Sequence, residues 1–181
     1  MQSPGQTLTF GHMIADPRTS VAFSGHRTYC GDAADALHRT VGELYARGFR
    51  TFLSGMAVGF DLAAAEAVLE LRGRRPDVRL VAAVPFRGQE ARFPQADRER
   101  FGRVLAAADA VEVLSPVYHR GCYAVRNDFL VDHARVLVAW YDGSPGGTHY
   151  TVRRAMRRGL EILDLHPAAS ALPAFAPTLF G

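Results

Sequence analysis

The sequence lacks the long apolar segments that mark membrane proteins. No apolar run in it approaches the roughly 20 residues that a membrane-spanning helix needs. The N-terminal stretch MQSPGQTLTFGHMIADPRTS does not place a basic segment before an apolar one, so it does not resemble a signal peptide. We therefore expect a cytoplasmic protein with no membrane partner.

Cysteine is also scarce, since the chain contains only Cys30 and Cys122. Two cysteines permit at most one disulfide, which the reducing cytosol disfavours. His26 and His119 lie close before them in the sequence. Because no paired-ligand spacing is repeated, as it is in zinc sites, we expect no metal site.

The composition is that of an ordinary globular domain. The 181 residues are 48% hydrophobic and 22% charged, and this length favours one domain over two. The formal net charge is +3. Arg153, Arg154, Arg157 and Arg158 form two adjacent pairs one helical turn apart, which indicates either a solvated face or a patch for nucleic acid or phosphate. No aromatic residues interleave them as in a stacking platform for single strands, so nucleic acid is the less favoured partner.

Short apolar runs alternate with longer amphipathic segments along the chain. The pattern predicts strands at 21–24, 51–54, 79–84, 110–114, 135–141 and 160–165, and helices at 32–47, 61–72, 96–108, within 121–133 and at 148–158. Continuous apolar strands that alternate with helices are typical of parallel sheets covered on both faces. We therefore predict an α/β protein with a mostly parallel central sheet of about six strands.

The motifs of two large nucleotide-binding classes are missing. The chain has neither the strict GxGxxG of dinucleotide dehydrogenases nor the GxxxxGK[ST] of the P-loop, and no acidic residue ends the second predicted strand. A hydride-transfer enzyme is therefore disfavoured.

Polar and glycine-rich residues are instead concentrated just after the predicted strands. Ligands of open α/β sheets bind outside the carboxyl ends of the strands, where the topology reverses. Glycines there either permit unusual backbone dihedrals or bring backbone N–H groups close to a phosphate at a helix N-terminus. The candidate ligand- and phosphate-binding residues are Ser24, Gly25, His26, Arg27, Ser54, Gly55, Gly59, Asp61, Arg126, Asn127, Asp142, Gly146, Gly147 and Thr148.

Several of these residues have two interpretations. Asp61 is either the N-cap of its helix or an acceptor for a ribose or a base, and Thr148 is either an N-cap or a phosphate contact. Arg27 either lies in a surface pair with His26 or forks two hydrogen bonds onto a phosphate. Arg126 belongs either to a surface ion pair or to the site.

Five segments follow the predicted strands or open the predicted helices: SGHR (24–27), SGMAVGFDLAAAEAV (54–68), VPFRGQEARFP (84–94), CYAVRNDFLVD (122–132) and YDGSPGGTHYTVRRA (141–155). In this order they resemble the motifs of the YpsA-like family, which belongs to the SLOG superfamily that joins the DprA/Smf proteins with the Lonely guy (LOG) proteins. The resemblance implies a Rossmann-like three-layer domain at 20–166. The composition of the flanking segments predicts a flexible lead at 1–19 and an Ala/Pro-rich tail at 167–181. The resemblance also implies a nucleotide or nucleotide-derived ligand, no obligatory cofactor, and a homo-oligomer.

The LOG branch suggests an enzymatic alternative. LOG-type phosphoribohydrolases cleave the N-glycosidic bond of a nucleoside monophosphate and carry an Arg-Lys pair before a PGGxGTxxE motif. Here Asn127 replaces the Lys and Thr151 takes the place of the Glu. The candidate catalytic residues are then Arg126 with Asp61, Glu90 or Asp142 as a displaced carboxylate. We favour binding or sensing without catalysis, with N-glycosidase activity second and DprA-like nucleic-acid binding third.

Overall fold

The computed structural model describes residues 16–169 and contains the predicted α/β architecture. The strands are β1 (Ser20–Gly25), β2 (Thr51–Ser54), β3 (Arg79–Val84), β4 (Ala110–Val113), β5 (Val136–Trp140) and β6 (Glu161–Asp164). The helices are α1 (Ala34–Ala46), α2 (Phe60–Arg74), α3 (Gln95–Ala107), α4 (Cys122–Asp132) and α5 (Gly147–Arg157), with 3-10 turns at Pro17–Thr19 and Gln89–Arg92. Residues 1–15 of the predicted lead and 170–181 of the predicted tail lie outside the described residues.

The six strands form one sheet in the order β4-β3-β2-β1-β5-β6, and every adjacent pair is parallel. The predicted Rossmann-like α/β fold is therefore confirmed, with a sheet that is parallel throughout. From β1 the chain adds β2, β3 and β4 on one side, and then returns to place β5 on the other side of β1. The direction in which the chain adds strands thus reverses at β1, and the topological switch point lies between β1 and β5. Open α/β sheets bind ligands at such a switch point.

Alternate residues of the central strands supply two cores. Val21, Phe23 and Phe52 point to the face covered by α1, α2 and α3, whereas Ala22 and Leu53 point to the face covered by α4 and α5. This period of two explains why the strands are apolar without interruption, since both faces are buried.

The helices bury side chains at helical spacing. In α5 the buried residues are Thr148, Thr151, Val152 and Ala155, which recur at intervals of three and four residues and so form one stripe. Helix α2 differs because it packs against both α1 and α3, and its alanines let both neighbours approach. It extends to Arg74, two residues beyond the predicted end at residue 72, and so continues through Gly73.

Candidate functional site

A cleft of about 480 Å³ opens at the carboxyl ends of the strands, where the sheet reverses between β1 and β5. It brings together residues from the end of β1, from the loops after β1, β2 and β5, from the first turns of α2 and α5 and from the first two turns of α4. The lining residues that the sequence predicted are Ser24, Gly25, His26, Arg27, Asp61, Arg126, Asn127, Asp142, Gly147 and Thr148.

Two glycines let the loop after β1 lie directly on the start of α2. A Cβ on Gly25 would clash with the side chain of Phe60, and a Cβ on Gly59 would lie 2.7 Å from the carbonyl oxygen of Arg27. Gly59 also has a φ of +82°, which favours glycine. Both residues therefore serve close packing, and Gly59 is not among the residues that line the cleft.

Asp61 is a buried carboxylate that joins the ends of β1 and β2. The backbone N–H of Gly25 donates to its Oδ1 at 3.2 Å, and the N–H of Ala57 donates to its Oδ2 at 3.4 Å. Burial raises the pKa of this carboxyl, while the charge of Arg126 and the two N–H donors oppose the rise. The N-cap interpretation of Asp61 is wrong, because Gly59 caps α2 and Asp61 lies inside its first turn.

Arg126 is the centre of a buried network. Its Nη1 donates to the carbonyl oxygen of Gly55 and lies 3.6 Å from Oδ2 of Asp61, and its Nε donates to Oδ1 of Asn127 at 2.7 Å. The Nδ2 of Asn127 in turn donates to the carbonyl oxygen of Gly147 at 3.3 Å. Burial lowers the pKa of Arg126, and the charge of Asp61 opposes that fall. Only Nη2 of Arg126 forms no hydrogen bond within residues 16–169, so it is the part of the side chain that can contact a ligand.

The N-terminus of α5 carries unpaired backbone donors at the cleft. Gly146 is the N-cap, with a φ of +144°, and no side chain of the described chain caps the helix. The first backbone hydrogen bond of the helix runs from Tyr150 to Gly146, so the N–H groups of Gly147, Thr148 and His149 precede it. The N-cap interpretation of Thr148 is therefore wrong, because Thr148 is the second residue of the helix.

His26 and Asp142 approach each other across the switch point. Nε2 of His26 lies 2.8 Å from Oδ1 of Asp142, which is an ion-pair distance. The angles between the two groups do not meet the geometry of a hydrogen bond. Within residues 16–169, the buried Nε2 of His26 therefore has no hydrogen-bond partner. We therefore describe the pair as a close polar contact. The side-chain hydroxyl of Ser144, followed by its backbone N–H, which donates to Oδ1 of Asp142 at 2.8 Å, holds the pKa of that carboxyl below its usual value.

The other predicted site residues lie outside the cleft lining. The hydroxyl of Ser54 donates to the carbonyl oxygen of Asp61 at 2.8 Å and accepts from the N–H of Met56 at 3.2 Å, so it fixes the turn after β2. Glu90 lies in the 3-10 turn after β3. The predicted residues that do not line the cleft are Ser54, Gly55, Gly59, Glu90 and Gly146.

Sequence reasoning missed four lining residues, namely Thr28, Ala57, Tyr123 and Ser144. Tyr123 lies three residues before Arg126 and four before Asn127 in α4. Residues at that spacing share one face of a helix, so the spacing in the sequence indicates that Tyr123 lies beside Arg126 and Asn127.

The late arginine cluster lies mainly in the C-terminal half of α5 and is half neutralised. Nη2 of Arg154 donates to Asp132 at 3.1 Å, and Nη2 of Arg158 lies 3.5 Å from the same carboxylate of α4. The ion pairs within residues 16–169 do not include Arg153 or Arg157. This arrangement supports a solvated helix face that also holds α4 against α5.

Neither cysteine lies in a cluster of metal-ligating side chains. Cys30 is exposed and Cys122 is buried, and both are free thiols. The described part of the chain contains no group of three or more His, Cys, Asp or Glu residues arranged to hold a metal ion. It also contains no helix that is both long enough and apolar enough to cross a membrane.

Two solved structures share this fold. The DNA processing protein A (DprA) of Streptococcus pneumoniae matches with a TM-score of 0.59 at 20% identity, over 79% of this chain and 48% of that one. The DprA of Helicobacter pylori matches with a TM-score of 0.58 at 18% identity, over 81% of this chain and 64% of that one. The chain thus spans about half of the first protein and under two thirds of the second.

Sequence comparison identifies the family. The UPF0398 protein of Bacillus cereus (strain G9842) is 30% identical over 134 residues, which are 72% of either chain. The UPF0398 protein of Halalkalibacterium halodurans is 30% identical over 126 residues, which are 68% of this chain and 67% of the relative. The YpsA model, described as the YspA SLOG family, matches residues 22–162. Because this match contains most of the chain, the protein belongs to the YspA SLOG family.

Proposed function

We propose that the cleft binds a nucleotide or nucleotide-derived ligand, such as a nucleoside phosphate, ADP-ribose or an NAD-like molecule, and that the protein binds or senses this ligand without converting it. The observation that carries the proposal is the N-terminus of α5, which no side chain of residues 16–169 caps and which opens into the same cleft as His26 and Arg27, between β1 and β5. The volume of about 480 Å³ lies within the range usual for small-molecule sites.

The phosphate is expected at the start of α5. The N–H groups of Gly147 and Thr148 are free of helical partners there, and the helix dipole favours an anion by about 0.3–1 kcal/mol. Arg27 is exposed at the same cleft and its guanidinium can fork onto phosphate oxygens. Nη2 of Arg126 supplies a further donor. Family membership supports this assignment, because the resemblance to SLOG proteins implies such a ligand.

The carboxylates argue for binding over catalysis. Both oxygens of Asp61 accept backbone hydrogen bonds, Glu90 does not line the cleft, and Thr151, in the place of the LOG glutamate, donates to the carbonyl oxygen of Gly147 at 2.9 Å. If the protein is instead an N-glycosidase, Asp142 is the carboxylate that we expect to assist cleavage, because it is exposed in the cleft beside His26.

Nucleic acid is a further alternative for the same cleft. The H. pylori DprA that shares the fold is described for its mode of binding single-stranded DNA. Arg154 and Arg158 of the late arginine cluster pair with Asp132, which reduces the positive charge that a nucleic acid could contact along α5. We also propose that no cofactor is obligatory and that the protein forms a homo-oligomer, which light scattering would measure.

A thermal-shift panel of AMP, ADP-ribose, NAD and cyclic nucleotides tests the proposal. A ligand at about one hundred times its Kd should raise the free energy of unfolding by roughly 2.7 kcal/mol. Arg27→Ala should weaken the shift, whereas Arg153→Ala, which removes an exposed arginine of the last helix, should leave it unchanged. If no compound shifts the unfolding temperature, or if both variants behave alike, the cleft is not the site we propose.

Turnover is measured separately by the release of free base from AMP. We expect none. Release that Asp142→Asn abolishes would establish the glycosidase alternative in place of sensing.

A further inference from the structure

Three aromatic residues form a cluster beside the cleft, and we call Phe86, Tyr118 and Tyr123 the aromatic triad. The ring centroids of Phe86 and Tyr118 are 5.3 Å apart, those of Phe86 and Tyr123 are 5.8 Å apart, and those of the two tyrosines are 6.4 Å apart. All three contacts are edge-on, at interplanar angles of 61° to 79°. Because Tyr123 also lines the cleft, the triad continues the cleft surface toward the ends of β3 and β4.

The triad is held in place by its own supports. Phe86 is buried and contacts both tyrosine rings. The loop after β3 is tied to the loop after β4, because the N–H of Arg87 donates to the carbonyl oxygen of Ser115 at 3.2 Å. Within the second loop, the hydroxyl of Ser115 and Nε2 of His119 are 2.9 Å apart. The surface is therefore built before any ligand arrives.

The hydroxyl groups of the two tyrosines of the triad do not stabilise the fold through hydrogen bonds within residues 16–169. Tyr118 is 53% exposed, and within residues 16–169 neither its hydroxyl nor that of Tyr123 forms a hydrogen bond. The hydroxyls of three other tyrosines are engaged: Tyr45 with Asp77, Tyr141 with His149 and Tyr150 with Asp128. An exposed ring with an unused hydroxyl adds little to the core, whereas its faces are suited to stacking.

An arginine lies close to each of the two tyrosine rings of the triad. The guanidinium carbon of Arg27 lies 5.7 Å from the centroid of Tyr123, and that of Arg92 lies 5.5 Å from the centroid of Tyr118. Arg87 and Arg120 are exposed in the two loops that carry Phe86 and Tyr118, and Glu90 is the acidic residue of the adjoining turn. This combination of π faces with positive charge is what nucleobases linked by phosphates require.

We infer that the aromatic triad is a second subsite that stacks a second base, so that the ligand has two bases joined through phosphate. This inference rests on the proposed nucleotide site in the cleft. One base and the phosphate occupy the cleft, and the linked second ring lies on Tyr118. Two kinds of ligand contain two bases joined through phosphate. One is a dinucleotide joined by a diphosphate, and the other is a nucleic-acid strand joined by phosphodiesters.

The test compares two pairs of probes that differ only in the second unit, ADP-ribose with NAD and pdA with pdApdA. Binding of each is measured by calorimetry to the wild-type protein and to the Tyr118→Ala and Tyr118→Phe variants. In one pair at least, the two-base probe should bind more tightly than its one-base partner, by roughly 5- to 150-fold for one stacked base. Tyr118→Ala should remove this preference and leave the one-base probe unchanged, and Tyr118→Phe should retain it because the ring remains.

The outcomes separate this inference from the proposed function. A preference for NAD that Tyr118→Ala removes supports the diphosphate source, and a preference for pdApdA supports the nucleic-acid source. One-base binding with no preference in either pair, or a preference that survives Tyr118→Ala, overturns the second subsite alone. If none of the four probes binds the wild-type protein, the proposed function fails and the second subsite fails with it.

Discussion

At the scale of single residues, Asp61 and Arg126 show that a polar cleft residue can be structural. Asp61 is the countercharge of a buried guanidinium and also accepts the N–H groups of Gly25 and Ala57. Asp61→Asn should lower the free energy of unfolding by about 3 kcal/mol or more, because it leaves a buried charge without its partner. Chemical denaturation measures this loss.

Asp142→Asn is the matched comparison, since it removes an exposed carboxylate from the same cleft. It should change the free energy of unfolding far less. Equal denaturation midpoints for wild type and Asp61→Asn would show that the buried pair does not hold the cleft together.

At the scale of elements, a substitution at the start of α5 should change helix stability and ligand binding in opposite directions. A Cβ on Gly147 would meet only Nδ2 of Asn127, at 3.7 Å, so a side chain fits there. Gly147→Asp places a negative charge in the first turn, where it should stabilise the helix by about 0.3–1 kcal/mol and repel an anionic ligand. We expect a higher unfolding temperature together with loss of the ligand-induced shift.

Gly147→Asn has nearly the same shape without the charge and controls for crowding. It should retain much more binding than Gly147→Asp. If the two variants bind equally well, no phosphate lies at this helix terminus.

At the scale of the whole molecule, Arg47 and Glu161 join the end of α1 to the start of β6, which are 114 residues apart in sequence. The two guanidinium contacts, at 3.0 and 2.6 Å, lower the pKa of Glu161 below its usual value of 4.5. A lowered carboxyl pKa contributes stability that is present above the unfolded-state value and disappears as the pH falls through the folded-state value. The contribution is small, because both side chains are more than a third exposed and solvent screens them.

Glu161→Gln should therefore be slightly less stable than wild type at pH 7. The difference should shrink as the pH falls below 4.5 and vanish once the carboxyl is protonated in the folded state as well. Denaturation curves at several pH values measure it. Glu112→Gln, on the opposite edge strand β4, should show no such dependence, because Glu112 has no ion pair within the part of the chain that the structure describes. A difference between Glu161→Gln and wild type that persists in acid would assign the effect to packing instead of charge.

Local patterns explain how much of this molecule was predictable. The strands β2 and β3 were predicted with the bounds that they have, because their inner residues, Phe52–Leu53 and Leu80–Val84, are buried and form continuous apolar runs. The start of α5 was misplaced by one residue, because a glycine with a φ of +144° caps it in place of a side chain. The 3-10 turn at Gln89–Arg92 has no periodic signal and was not predicted.

The sequence alone determined the class of fold and the edge of the sheet at which polar chemistry gathers, because both depend on the order of residues within single strands and the turns after them. The tertiary structure decided which of those residues meet. Only the return of β5 to the side of β1 brings Asp142 to His26, and only packing turns Arg126 and Asp61 inward while it leaves Tyr123 and Arg27 at the cleft. These contacts join residues distant in the chain, and no local pattern encodes which of several polar neighbours will be buried.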